Sequence, residues 1–398
     1  MSLDVLIVGG GIGGSTLATV LSRAGKKVLV LEREQKFKDR VRGENMLPWG
    51  VDIAKRIGVL DDVVAAGGHL APGFTIYVMG QKDECRPLPQ TTPHGQPGLN
   101  MYHPDLQEAL LAKAVKAGAE VKRGVNVTAV TEKNGTYTVS YTEGGQSHDI
   151  TARVVVGADG RNSKMREWGG FEEVRDPHFL RIAGAYVEDT KVPDDSVYLC
   201  MGPGVASFIA PFGKGKARYY AIYPGVMGDR KLSGKEKVDD FLGAVREAGV
   251  PGEWLDGIRV TGPLAEFEGA DHWVKSPGKK GIALVGDAAG ATDPSWGCGL
   301  SKTMMDVDHL SKRLLETDDW DAALKSYAAD HDDKFGKLHD ILSWMTTLFW
   351  TPPPEGDVRR MKVLPAMKAN PMAYPDAAGL GPFGPCDDKA RRLILGLD

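Results

Sequence analysis

The chain has 398 residues, 42% hydrophobic and 26% charged, with a net charge of −4, proportions that suit a globular protein with one large core or two moderate ones. No basic cluster is denser than Lys279-Lys280 or Arg359-Arg360, which argues against nucleic acid or an anionic membrane as the main partner. Four scattered cysteines, Cys85, Cys200, Cys298 and Cys386, form no Cys-x-x-Cys, so neither a disulfide framework nor a metal site is expected, and a reducing cytoplasm fits. The first strand starts within a few residues of Met1, and no export leader is expected.

The chain opens with the apolar strand Asp4 to Val8, a glycine turn from Gly9 to Gly14, a helix spaced by Leu17, Val20 and Leu21, and a second buried strand, Val28 to Leu31, ending in Glu32. With 50 glycines in the chain, a bare G-x-G-x-x-G arises by chance about once, so the context decides. Strand, turn, helix and trailing acid together predict a dinucleotide site. Gly9 makes the turn, Gly11 lets the backbone approach a diphosphate, and Gly14 lets helix and strand pack closely. The N–H groups of Gly11, Ile12 and Gly13 face the phosphates, and Glu32 accepts ribose hydroxyls. In the charged loop from Arg33 to Arg42, Arg33 and Arg42 are the expected cofactor contacts.

A helix is predicted from Trp49 to Ile57, closed by Gly58. Two short strands follow around Gly80 within 74–88, then a proline-rich connection. A helix opens at Pro104 and closes at Gly118, and alternating strands flank an Asn134-Gly135 hairpin. The buried strand Arg153 to Val156 runs into Gly157-Ala158-Asp159-Gly160-Arg161-Asn162-Ser163, with Ser163 capping a short helix, Lys164 to Trp168. Alternating strands at 179–188, 195–201, 205–212 and 216–223 predict an antiparallel sheet, followed by a helix over 235–249. A strand buried on both faces returns at Ile282 to Val285, ending in Gly286-Asp287, and a helix spans about 298–316. The apolar run Ile341 to Trp350 is too short to cross a bilayer and is expected as a helix packed on the body. From Pro352 onward one short helix is expected, Asp387 to Leu395, in a segment that wraps the body or partly covers a site entrance.

Three separated motifs now stand out: Gly9 to Gly14 with Glu32; Gly157 to Ser163; and Gly286-Asp287-Ala288-Ala289 followed by Pro294, Gly297, Gly299 and Leu300. Their order and wide spacing resemble the FAD-dependent aromatic hydroxylases, the single-component flavoprotein monooxygenases of the para-hydroxybenzoate hydroxylase type. The resemblance covers roughly 1–170 and 275–315. It implies an α/β fold, with a Rossmann-like FAD-binding domain of parallel strands and helices plus an antiparallel-sheet substrate domain. The expected division is 1–73, 100–176 and 275–345 for the cofactor, 74–99 and 177–274 for the substrate, and 346–398 as the wrapping segment.

By the same resemblance, Asp159 and Gly160 touch the diphosphate, in a motif linked with NAD(P)H, while Gly286 and Asp287 hold the ribityl chain. Pro294, Gly297, Cys298, Gly299 and Leu300 form the turn under the flavin ring, with Pro294, Gly297 and Gly299 at the reacting face. Cys298 is expected to matter through its backbone, as a small filler rather than a covalent attachment point. Many family members carry an arginine on the helix at 103–106, where this chain has His103-Pro104-Asp105-Leu106, so Arg42 is expected to substitute in part.

The implied activity is hydroxylation of an aromatic or similarly apolar small molecule by NAD(P)H and O₂ through a flavin C4a-hydroperoxide. No second glycine fingerprint for NAD(P)H is present, as the family requires none. Substrate contacts are expected from Ser207, Arg218, Tyr220 and Tyr223 on the sheet and from Trp296. A homodimer is the expected assembly. A halogenase is suggested by Gly43-Glu44-Asn45-Met46-Leu47-Pro48, yet no Trp-x-Trp-x-Ile-Pro accompanies it. An isoprenoid double-bond reductase would share the same cofactor domain, and a flavin- or prenyl-binding chaperone module would use it without turnover.

Overall fold

Runs of β-branched and leucine side chains without polar alternation are stable only as strands covered on both faces, and the opening strand takes that position. In the computed structural model, which describes residues 3–134, 136–177, 180–225 and 230–398, Leu3–Val8 lies between Val28–Glu32 and Gln146–Gly157 and runs parallel to both. Glu120–Arg123 extends one side and Ile282–Leu284 the other, again in parallel. Period two then sorts the side chains. Val5, Ile7, Val28, Val30, Val154 and Val156 face the helices Ile12–Arg23, Gly299–Glu316 and Trp320–Trp350. Leu6, Val8, Leu29, Leu31 and Val155 face the antiparallel meander formed by Asn126–Lys133, Thr136–Glu143 and the first half of Gln146–Gly157. Asn134 adopts φ 55° at the meander's turn, while Gly135 of the expected hairpin lies outside the described residues.

The strand order reverses at Leu3–Val8, because the next strand pairs on one side and Gln146–Gly157 on the other. Such a reversal opens a crevice at the carboxyl ends of the strands.

The second large sheet contains Leu180–Glu188, Ser196–Gly202, Val205–Gly213, Lys216–Pro224 and Ala265–Gly269, all antiparallel neighbours. It departs from the expected pure antiparallel pattern at one edge. The hairpin Gly73–Val78 with Gln81–Pro87 joins there, and Gly73–Val78 pairs in parallel with Ser196–Gly202. More than a hundred residues separate those two strands, ample length for the crossover that parallel pairing needs. Alternation splits this sheet too. Ala183, Ala185, Tyr219, Ala221 and Tyr223 pack on the helix Val238–Glu247 through Phe241, Ala244 and Val245, while Ile182, Ala206, Tyr220 and Ile222 line the other face.

The apolar run at 341–350 is the last third of a 31-residue helix, Trp320–Trp350. Its first part buries Leu324, Tyr327, Ala328, His331, Phe335 and Leu338 at helical spacing among exposed charges, and Asp319 caps it by accepting from the Ala322 N–H at 3.1 Å. Two helices follow rather than one, Glu355–Ala369 and Asp388–Ile394. The first holds Pro365 and buries little beyond Gly356 and Val363. The chain then wraps the body at Trp49, whose indole N–H donates to the Ala377 carbonyl at 3.1 Å. Among the described residues, no helix is long and apolar enough to cross a membrane.

One buried ion pair ties the helix Gly299–Glu316 to the strand end at Gly286. Lys302 and Asp306 are fully buried and 2.7 Å apart; Lys302 Nζ donates to the Gly286 carbonyl at 2.7 Å, and the Gly286 N–H donates to Asp306 at 2.8 Å. Removing one partner of such a pair leaves an uncompensated buried charge worth about 3–5 kcal/mol. Asp306→Ala is therefore expected to lower the urea-unfolding free energy by about that amount. The double variant Lys302→Met/Asp306→Leu should recover only part of the loss, because the Gly286 carbonyl and N–H are left without partners, and an unchanged midpoint in Asp306→Ala would contradict the assignment.

Candidate functional site

The crevice at the strand ends is a cavity of about 620 Å³. Three turns far apart in sequence line it: Gly9, Gly11, Ile12 and Gly13; Ala158, Asp159, Gly160 and Arg161; and Gly286 with Asp287. Glu32, Arg33, Arg42, Pro294, Gly297, Gly299 and Leu300 line it as well.

The first turn has no room for a side chain at Gly9 or Gly14. Gly9 sits at φ 104°, where a Cβ would lie 2.5 Å from the Ala158 carbonyl oxygen; at Gly14 it would lie 1.9 Å from the Gly9 carbonyl oxygen. Gly14 thus seats the helix on the strand without itself lining the cavity. The helix Ile12–Arg23 has Gly11 at its N-cap and no side-chain cap, so its first N–H groups are left for a ligand. Glu32 is buried, its carboxylate accepting from the Gly10 N–H at 2.7 Å and the Glu34 N–H at 2.8 Å. Asp159 accepts from the N–H groups of Lys164 and Met165 through one oxygen. Its other oxygen is buried without a partner.

Arg42 stands 3.9 Å from Asp287. The loop holding it is fixed through its backbone: His103 Nδ1 meets the Gly43 carbonyl at 2.8 Å, and the Met101 N–H donates to the Glu44 carbonyl at 2.9 Å. At the far end, Ile182, Phe208, Tyr220 and Phe267 of the second sheet form the wall. Beside that wall, two residues along the strand from Tyr220 and on the same face, Arg218 is fully buried, donating to Glu44 at 2.8 Å and to Asp39 at 2.9 Å.

The structure does not bring every expected residue to the cavity. Ser207 and Tyr223 occupy the opposite face of their strands from Phe208 and Tyr220, toward the helix Val238–Glu247, as the period of two requires. Trp296 turns away, donating its indole N–H to Thr346 at 3.0 Å and packing on Phe349. The Cys298 thiol is buried in the core and donates to the Trp296 carbonyl at 3.5 Å, while the flanking Gly297 and Gly299 line the cavity. Arg218 is a wall support rather than a lining residue.

Glu44, Asn45, His103 and Arg161 line the cavity and were not among the expected site residues. No local signal marks Glu44, because the partner that lets it be buried, Arg218, lies 174 positions later.

Residues 2–333 match the FAD binding domain family. Digeranylgeranylglycerophospholipid reductase 1 of Methanococcoides burtonii is 26% identical over 313 residues, which is 76% of this chain and 71% of that protein. Aklavinone 12-hydroxylase DnrF of Streptomyces peucetius subsp. caesius is 26% identical over 363 residues, 82% of this chain and 71% of that one. The crystal structure of p-nitrophenol 4-monooxygenase PnpA from Pseudomonas putida DLL-E4 shares the fold, with a TM-score of 0.79 at 21% identity over 99% of this chain and 96% of that one. With the match running through all three cavity-lining turns, the chain belongs to the FAD binding domain family of flavin-dependent oxidoreductases.

Proposed function

We propose that this protein is an FAD-dependent monooxygenase that uses NAD(P)H and O₂ to hydroxylate an uncharged aromatic or similarly apolar small molecule. The cavity suits FAD in its chemistry. Asn45 Oδ1, Asp159 Oδ1, Thr292 Oγ1 and Ser295 Oγ are buried without protein partners on residues that line it. Each unpaired buried atom costs about 1–3 kcal/mol, which a ligand rich in hydroxyl and amide groups would return.

We assign the helix start at Gly11, Ile12 and Gly13 to the diphosphate, where unpaired N–H groups and the helix dipole favour anions. Asp159, Gly160, Arg33 and Arg42 flank the same group. Glu32 takes the adenosine ribose, since each of its oxygens keeps a lone pair beside the N–H it already accepts. Asp287, with Gly286 giving close approach, takes the ribityl hydroxyls. Pro294, Gly297, Gly299 and Leu300 support the ring, with the positive end of Gly299–Glu316 beside it. Bound FAD would supply hydride acceptance and oxygen activation, which no side chain here offers.

One observation carries the substrate class. The sheet wall is Ile182, Phe208, Phe267 and Tyr220, and the arginine beside it, Arg218, is already paired with two carboxylates. That wall presents no net positive charge to an anionic substrate, and its apolar surface keeps water from the reacting face. A second reading, reduction of an isoprenoid double bond, is supported by the 26% identity to the archaeal reductase across three quarters of this chain.

The test uses protein reconstituted with FAD and supplied with NADH or NADPH and a panel of phenols, indoles and polyketide-like aromatics. Substrate-accelerated NAD(P)H oxidation is expected, matched by O₂ uptake and a product heavier by one oxygen. Anaerobic saturation of a geranylgeranyl chain would favour the reductase instead, and no acceleration by any compound would refute the hydroxylase. Gly14→Ala forces the helix off the strand and should weaken FAD binding well over tenfold, at least about 1.4 kcal/mol. Wild-type flavin content in that variant would sink the assignment of the first turn.

A further inference from the structure

Asn45 and Asn100 face each other across the paired strands Asn45–Met46 and Gly98–Asn100, and both are buried. A side-chain amide has a donor end and an acceptor end, so the way each one lies decides what it can bind. Asn100 is fixed first. Its Nδ2 donates to the Pro211 carbonyl at 3.0 Å, and a carbonyl oxygen never donates, so the reverse orientation would set two oxygens against each other. Asn100 Oδ1 is thereby turned toward Asn45 and must be met by a donor. Asn45 supplies one through Nδ2 at 2.8 Å.

The consequence falls on the cavity. With its donor end committed, Asn45 has Oδ1 left, and that oxygen is buried without a partner on a residue that lines the cavity. A Cβ added at Gly297 would lie 4.0 Å from it, which sets the oxygen beside the turn that follows Pro294. The sheet wall is equally near in the chain of contacts: Pro211 lies on the same strand as Phe208, and the neighbouring Glu44 meets the Tyr220 hydroxyl. An acceptor buried with nothing to accept from is unfavourable. The protein has fixed the amide so that no side chain satisfies it, and a bound molecule is left as the source of the donor.

We propose that Asn45 is a specificity-determining residue whose Oδ1 accepts a hydrogen bond from an N–H or O–H of the molecule bound between the Gly297 turn and the sheet wall. Asn100 is its positioning residue, which keeps the amide from turning over. The inference rests on the reading of the cavity as a flavin site. Two bound groups carry such a proton, the imide N–H of a flavin ring and a hydroxyl or amine on the substrate, and both present the same chemistry to the amide. A molecule with a methyl group at that point leaves Oδ1 unpaired, and a site built to receive a donor discriminates strongly against the analogue that lacks it.

The test uses two pairs of probes. Phenol and toluene, alike in shape, are bound to the FAD-loaded protein and followed through the flavin spectrum. FAD and its 3-methyl analogue, which lacks the imide N–H, are bound to the full-length protein freed of flavin. For each pair the ratio of the two dissociation constants is compared between wild type and Asn45→Leu, which removes the acceptor at similar size. General loosening of the site and the bulk of a methyl group act on both proteins or on both probes, so they cancel in that comparison.

The preference for the donor-bearing probe is expected to fall by at least about tenfold in one of the pairs. A fall for phenol over toluene assigns the donor to the substrate, a fall for FAD over its methyl analogue assigns it to the cofactor, and either supports the role of Asn45. Asn100→Leu lies outside the cavity lining yet should weaken the same preference, because the released amide can turn its NH₂ inward. It also serves as the second variant where Asn45→Leu takes up no flavin. Unchanged preferences in both pairs, in variants that retain flavin, would overturn the inference alone. Wild-type protein that takes up no flavin at all would overturn the reading of the cavity together with it.

Discussion

No side chain stands between Gly14 and the carbonyl of Gly9, and the rest of the architecture follows from that close approach. A single methyl group there would lie 1.9 Å from an oxygen. Because the gap is clear, the helix Ile12–Arg23 begins directly above the end of the strand Leu3–Val8, with its first N–H groups unspent. The tight turn also brings Gly9 against Ala158, so the second cavity turn is stacked on the first by backbone contact alone. Glu32 then locks the arrangement from the neighbouring strand by accepting from the Gly10 N–H. A ligand-binding crevice is thus built mainly from main-chain groups, whose positions depend on few rotamers.

This explains why so much of the crevice at the strand ends was legible in the sequence. The turn, the helix start and Glu32 lie within one strand–helix–strand unit, and each demands a residue type with few substitutes. The same holds for Asp159 and Asp287, acids placed at the ends of continuously apolar strands. The sheet end of the cavity resisted because its logic is long-range. Arg218 is buried only because Glu44, 174 positions earlier, waits for it, and nothing near either residue announces the pairing. Ser207 and Tyr223 were misplaced for a simpler reason. They fall on the alternate positions to Phe208 and Tyr220, so the period of two already excluded the set from sharing one face. At the C-terminus, Pro365 and weak amphipathicity hid the helix Glu355–Ala369, which is held by its packing on the long helix rather than by a buried stripe.

Among the described residues two cations are fully buried, Lys302 and Arg218, each pinned by carboxylate. Neither arrangement is explained by stability, because desolvating an ion pair costs about as much as its attraction returns, and an apolar replacement of the same volume is often as good. What the pairs share is a link to main chain at the cavity. Lys302 and Asp306 grip both the carbonyl and the N–H of Gly286. The Arg218 cluster reaches the Arg42 carbonyl through Glu44 and Tyr220. A hydrocarbon core would pack as densely but would leave those backbone groups without partners and the turns free to shift. The ion pairs therefore act as fixed-length struts: one sets the turn that presents Asp287, the other the loop that presents Arg42. The difference between them lies in their charge. The Lys302–Asp306 pair sets one ammonium against one carboxylate. The Arg218 cluster sets one guanidinium against two carboxylates, Asp39 and Glu44, and burial raises the Glu44 carboxyl to about 7.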